Sequence, residues 1–184
     1  MAQSLSFTPA SVAGAVLVDS ILRVDDRGHF SRAWCLREFA ENGIDFVPVQ
    51  ANTGFSSKRG TTRGLHFQAA PALEAKLVRC TRGALFDVVV DLRPGSPTLF
   101  QWFGVELRAE KYQFVYVPEG CAHGYQTLVD NTDLYYMTSQ YFTPSAAKGV
   151  RFNDPAFGIK WPRVPTAISE QDRNWPLVNE TSPV

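Results

Sequence analysis

From Lys76 to Tyr141 the chain is a train of short apolar segments, each cut off by a turn, and no other feature restricts its fold as much. Residues 76–80, 84–92, 99–107, 113–117, 122–129 and 133–141 are each rich in Val, Leu, Phe or Tyr. Between them stand Arg82-Gly83, Arg93-Pro94-Gly95-Ser96-Pro97, Pro118-Glu119-Gly120 and Asp130-Asn131, residues that favour turns. Segments this short, recurring every ~8 to 12 residues, predict an all-β protein built as a sandwich or a closed jelly-roll barrel.

The rest of the chain fits around that frame. Residues 7–24 alternate loosely and predict short strands, with a turn at Asp25-Asp26-Arg27-Gly28. Residues 35–42 carry apolar positions at helical spacing and stop at Gly43, which predicts one short helix. A strand is expected over 46–51, then a polar connection over 52–62. Beyond Pro144 the pairs Asp154-Pro155, Trp161-Pro162 and Trp175-Pro176 predict loops that wrap the barrel.

The 184 residues, 45% of them hydrophobic, suit a single domain over 1–184. Eighteen Lys and Arg balance eighteen Asp and Glu, so no global field draws the chain to nucleic acid or to an anionic membrane. No stretch approaches the ~18 to 20 apolar residues of a membrane helix, and no secretory leader is evident at the start, so a cytoplasmic protein is expected. Cys35, Cys80 and Cys121 lack CxxC spacing and are odd in number, which argues against a disulfide framework and predicts buried free thiols.

Chemistry concentrates at residues 63–68, Arg63-Gly64-Leu65-His66-Phe67-Gln68, where an imidazole stands near a permanent cation. On a regular strand Gly64, His66 and Gln68 share one face while Arg63, Leu65 and Phe67 share the other. A second imidazole, His123, sits in a turn leading into a strand; it serves either a structural hydrogen bond or a substrate contact. The usual barrel metal signature places two His two residues apart, and positions 64 and 68 are not His, so no metal site is expected. Lys76 opens a strand and could point into a barrel mouth or into solvent. Tyr136 could face inward, and Asp172 on these grounds alone is an ordinary surface carboxylate.

Residues 63–68, 76–80, 86–91, 96–98 and 118–124, with Ile168-Ser169 and Asp172, together resemble the dTDP-4-dehydrorhamnose 3,5-epimerase family. The resemblance runs in order from about Arg27 to Pro176. It implies a cupin-type jelly-roll β-barrel with an irregular C-terminal segment. It also implies a homodimer that exchanges an N-terminal arm (about residues 1–30), a nucleotide-diphospho-sugar substrate, and catalysis with neither metal nor organic cofactor. By position, His66 matches the catalytic base, Asp172 the carboxylate that orients it, Tyr136 the general acid and Lys76 the cation beside the substrate's 4-keto oxygen. Arg63 and Arg27 match contacts to the diphosphate, Gln50 and Asn52 polar contacts to the nucleotide-sugar, and Phe30 a residue of the exchanged arm. His29 receives no role.

Five positions depart from the family pattern: Arg32, Ala51, Phe142, Ala147 and Gln171. They leave the catalytic set intact and are expected around the nucleotide and the far end of the sugar. The favoured expectation is therefore a nucleotide-sugar epimerase acting at C3, C5 or both. A C3-only enzyme on a different nucleotide-sugar, a metal-dependent cupin enzyme and a non-catalytic nucleotide-sugar binder are the alternatives.

Overall fold

The computed structural model describes residues 3–178. The first two residues of the expected N-terminal arm and the last six of the expected single domain lie outside the described residues. The strands are β1 (Leu5–Pro9), β2 (Val16–Ser20), β3 (Arg23–Asp25), β4 (Gly28–Phe30), β5 (Gln50–Ser56), β6 (Thr62–Gln68) and β7 (Lys76–Arg82). They continue with β8 (Ala84–Asp91), β9 (Trp102–Arg108), β10 (Gln113–Val117), β11 (Cys121–Thr127), β12 (Thr132–Thr138) and β13 (Ala147–Gly149). Two short helices, α1 (Leu36–Glu41) and α2 (Glu170–Arg173), complete the elements used below.

One sheet has six strands in the order β1-β2-β10-β7-β12-β5, and the other has five in the order β13-β6-β11-β8-β9. All pairings between these strands are antiparallel. Consecutive strands often lie in different sheets, as β6 and β7 do, so the chain crosses repeatedly between the two walls of a jelly roll. This is the cupin-type architecture that the resemblance implied.

Period-2 patterning explains the packing. Along β7, β8 and β10, Val78, Cys80, Leu85, Val89, Val115 and Val117 point between the sheets. Leu77, Phe114 and Met137, of opposite parity, point outward on the six-stranded sheet, where α1 and the following chain cover them with Phe39 and Phe46. On the other sheet Leu65, Val88 and Val90 point outward and are covered by Phe157, Ile159 and Trp161 of the C-terminal segment. That is why β8 is buried at nearly every position: both of its faces are covered.

Several boundaries differ from expectation. The strand expected over 46–51 begins only at Gln50, because Pro48 has no N–H to donate and pairing with β12 starts at Gln50 opposite Thr138. The first five residues of the polar stretch expected as a connection thus belong to β5, an edge strand whose Gln50 and Asn52 face a cavity. The C-terminal segment contains one short strand, β13, paired with β6. Cys80 and Cys121 are buried as expected, whereas Cys35, just ahead of α1, is only partly covered.

Burial pushes the Cys80 thiol up to about 11 and the Cys121 thiol up to about 12, while a backbone N–H bond from Glu38 lowers that of Cys35. A thiolate-selective reagent at about pH 8 should therefore label Cys35 quickly in the native protein and the other two only after denaturation. Fast labelling of all three would contradict the packing described here.

Candidate active site

The site begins with a break in strand regularity. Between β6 and β11, His66 pairs with His123 and Arg63 pairs with Tyr125, so Gly64 and Leu65 together stand opposite Gly124. This is a β-bulge, and it shifts the parity of everything on one side of it. Arg63 and His66, expected on opposite faces, consequently line the same cavity of about 650 Å³. Glycine is required on both strands. Gly64 has φ of 112°, and a Cβ there would lie 2.6 Å from Gly124 Cα; a Cβ on Gly124 would lie 2.6 Å from the Arg63 carbonyl oxygen.

His66 Nε2 lies 2.6 Å from Asp172 Oδ1, across 106 residues of sequence. The expectation of a surface carboxylate is overturned: Asp172 is buried, at 4% exposure. Three local devices hold it there. Ser169 accepts the Asp172 N–H as the N-cap of α2, Thr62 N–H donates to the Ala167 carbonyl and ties this segment beside β6, and Trp175 Nε1 donates to Asp172 Oδ1. The Trp175 indole rests on Gly149 of β13, leaving no room for a Cβ, and meets the His66 ring edge-on. Burial would raise the Asp172 carboxyl, but the hydrogen bond from His66, with those from Gly64 N–H and Trp175, outweighs it and lowers its pKa. With Asp172 ionised, the proton of neutral His66 stays on Nε2, and Nδ1 keeps its lone pair.

A second imidazole–carboxylate pair lies beside the first. His123 Nε2 is 2.8 Å from Asp87 Oδ2, with both residues buried on the adjoining strands β11 and β8. His123 lines the same cavity as His66.

The facing wall belongs to the other sheet. Lys76 on β7 and Tyr136 on β12 line the cavity opposite His66, and Lys76 Nζ reaches across to donate to the His66 carbonyl oxygen at 3.3 Å. Lys76 points inward and is 7% exposed. Burial raises the pKa of the Tyr136 phenol, as do the charges of Glu74 and Tyr125, so it keeps its proton at neutral pH. An adjoining cavity of about 450 Å³ shares His66, Lys76, Tyr136 and Gln171 with the first and is lined further by Gln50 and Asn52 on β5. Arg63 stands at the rim of the larger cavity, where its guanidinium donates to the Phe55 carbonyl.

Eight of the ten expected site residues thus converge. Arg27 and Phe30 do not: both are exposed on the β3–β4 hairpin, Arg27 is paired with Asp25, and neither lines either of these two cavities. Of the five departing positions, Phe142, Ala147 and Gln171 line the cavities, whereas Arg32 pairs with Glu38 and Ala51 points away. Sequence reasoning passed over Trp175, Asp87 and Glu74 as site residues. Glu74 could have been found from its spacing to Lys76, because residues two apart share a face. Among the described residues, no group of three or more His, Cys, Asp or Glu is placed to hold a metal ion, and no helix is long and apolar enough to cross a membrane.

Residues 9–180 match the family described as dTDP-4-dehydrorhamnose 3,5-epimerase. A relative of that name from Sinorhizobium fredii is 42% identical over 175 residues, 95% of this chain and 90% of its own. The crystal structure of a dTDP-4-dehydrorhamnose 3,5-epimerase from Bacillus anthracis, with TDP and PPi bound, superposes with a TM-score of 0.90 at 37% identity, covering 94% of this chain and 99% of its own. ChmJ, a 3'-monoepimerase from Streptomyces bikiniensis crystallised with dTDP-quinovose, gives 0.85 at 35% identity, with coverages of 93% and 87%.

Because β6 and β11 meet without side chains at Gly64 and Gly124, Gly124→Ala should force the strands apart. Thermal or denaturant unfolding should show a loss of about 1–3 kcal/mol. Unchanged stability would mean that the bulge tolerates a methyl group.

Proposed function

We propose that this chain, which belongs to the dTDP-4-dehydrorhamnose 3,5-epimerase family, inverts C3, C5 or both of a nucleotide-diphospho-4-keto-6-deoxysugar. In this reading His66 is the base and Tyr136 the acid. The observation that carries it is the placement of the two on opposite sheets: a sugar held between the walls has an imidazole on one face and a phenol on the other.

The chemistry demands such an arrangement. A hydrogen on carbon beside a ketone leaves as a proton only if the oxygen of the resulting enolate is stabilised. Lys76 supplies a fixed ammonium for that oxygen, and removing one donor of this kind typically slows a reaction by ~10²- to 10³-fold. His66 Nδ1 takes the proton, and the Asp172 carboxylate stabilises the imidazolium. Return of a proton from Tyr136 on the opposite face inverts the centre. The proton count balances and no electrons are exchanged with another reagent, so the reaction needs no redox cofactor. His123, held by Asp87, offers a further hydrogen bond to the sugar, and Arg63 at the rim suits a diphosphate.

Arg27 and Phe30 belong in this reading to a second copy. Phe30 is 64% exposed on a hairpin that lines neither of the two cavities, which supports an N-terminal arm completing the site of a homodimer partner. Sedimentation should then give twice the 20.5 kDa chain mass, and a monomeric mass would remove this part of the reading.

A C3-only reaction is the second reading. It is favoured by the similarity to a 3'-monoepimerase and by Phe142, Ala147 and Gln171 on the cavity wall, where the family pattern differs. Proton NMR of dTDP-4-keto-6-deoxyglucose in D₂O separates the two, because each carbon loses its hydrogen signal independently. Washout at both carbons supports the 3,5-reaction, and washout at C3 alone supports the second reading. Washout at neither, on this and on other nucleotide carriers, would sink both. His66→Asn should abolish washout yet retain nucleotide-sugar binding, whereas Tyr136→Phe should reduce inversion by ~10²- to 10⁴-fold and washout less. Equal loss of washout and inversion in Tyr136→Phe would remove the acid assignment.

A further inference from the structure

We propose that Glu74 is a positioning residue for this reaction: its carboxylate holds the Lys76 ammonium in the cavity wall, aimed at the substrate's carbonyl oxygen. The inference rests on the epimerase reading above.

Glu74 Oε1 lies 3.0 Å from Lys76 Nζ, and the two side chains are only 10% and 9% exposed. Both line the smaller cavity beside Tyr136 and His66. Glu74 is held in place through its neighbour: Ala75 N–H donates to Ser139 Oγ, and Ser139 N–H donates back to the Ala75 carbonyl. The chain just ahead of β7 is thereby fastened to the end of β12, and Glu74 projects on the same side as Lys76.

An ammonium has three N–H donors. Glu74 takes one and the His66 carbonyl takes a second, which leaves the third for the cavity. A buried ammonium with no counter-charge is costly to keep in a cavity wall. Glu74 supplies that counter-charge at 3.0 Å, and the pair as a whole is neutral, so a neutral ketone is admitted without a net charge beside it. The third N–H gains strength only when the oxygen becomes an enolate, which is where a catalyst needs it. A buried ion pair is a weak source of stability, so stability alone does not account for one in a cavity wall.

Glu74 also acts on Tyr136. The titratable groups that line the two cavities with that phenol are Glu74 ahead of β7, Lys76 on β7, Arg63 and His66 on β6, His123 and Tyr125 on β11, Lys148 on β13 and Asp172 on α2, while β5 contributes the uncharged Gln50 and Asn52. Of these, the Glu74 carboxylate opposes ionisation of the phenol, after burial itself. Losing the carboxylate would therefore ease proton loss from Tyr136, so the alkaline limit of activity would move to lower pH.

The test compares wild type, Glu74→Gln and Glu74→Asp in steady-state epimerisation of dTDP-4-keto-6-deoxyglucose from about pH 6 to about pH 11. Glu74→Gln should lower kcat by about tenfold or more with KM within about twofold, and should move the alkaline limb to lower pH. Glu74→Asp should restore most of kcat and return the limb. An unmoved limb in Glu74→Gln would overturn the proposal. The double variant Glu74→Gln/Lys76→Met, which leaves no buried charge unpaired, should match Lys76→Met in hydrogen washout to within about twofold. A further large fall would show that Glu74 acts independently of Lys76, and it would overturn the proposal even if Glu74→Gln alone fails to fold. Absence of washout in the wild type would instead overturn the epimerase reading itself.

Discussion

The 2.6 Å contact between His66 and Asp172 is the interaction on which the rest of the site depends. It joins a barrel strand to a four-residue helix near the chain's far end, and neither partner could be held there alone. A carboxylate at 4% exposure is costly unless several donors satisfy it. Here the imidazole, the Gly64 N–H and the Trp175 indole supply them. Each donor in turn requires something local: a bulge at Gly64, a bare Gly149 beneath the indole, a Ser169 cap and the Thr62–Ala167 bond. The C-terminal segment is therefore part of the active site and part of the fold at once, since its Phe157 and Trp161 also cover the outer face of β6 and β8.

The same division of labour separates two sides of the barrel interior and runs across the strands, since Val89 pairs with His123 and Val78 with Tyr136. Toward one side Val78, Val89 and Val115 fill the space between the sheets with apolar side chains. Toward the other, the sheets part around cavities walled by His66, His123, Lys76, Glu74 and Tyr136. Polar groups survive there because they are paired with one another: His66 with Asp172, His123 with Asp87 and Lys76 with Glu74. The apolar side packs the sheets together, and packed walls hold His66 and Tyr136 at fixed positions on opposite sides of the cavity, where orientation is most effective.

Legibility in the sequence followed the same boundary. Where a strand packs on apolar neighbours, as in β8 or β10, pattern and turn residues located it closely. Where a strand faces the cavity, the pattern misled: Asn52, Thr53 and Gly54 read as a connection, although backbone pairing with β12 makes them β5. The Gly64–Leu65 bulge misled in another way, since alternation placed Arg63 and His66 on opposite faces. Family resemblance supplied Asp172, which no local signal could have singled out.

The amino-acid sequence by itself thus determined the all-β class, most turn positions and, through its motifs, the family. Tertiary structure alone decided that Asp172 meets His66, that Arg63 shares its cavity, that Glu74 rather than solvent accompanies Lys76, and that Arg27 and Phe30 line neither of the two cavities. The reason is physical. Short-range patterns record which side of a strand is apolar, because burial acts on every residue of the strand at once. A charged group's partner is instead selected by which elements are brought within a few ångströms, and contacts across 106 residues leave no period in the chain.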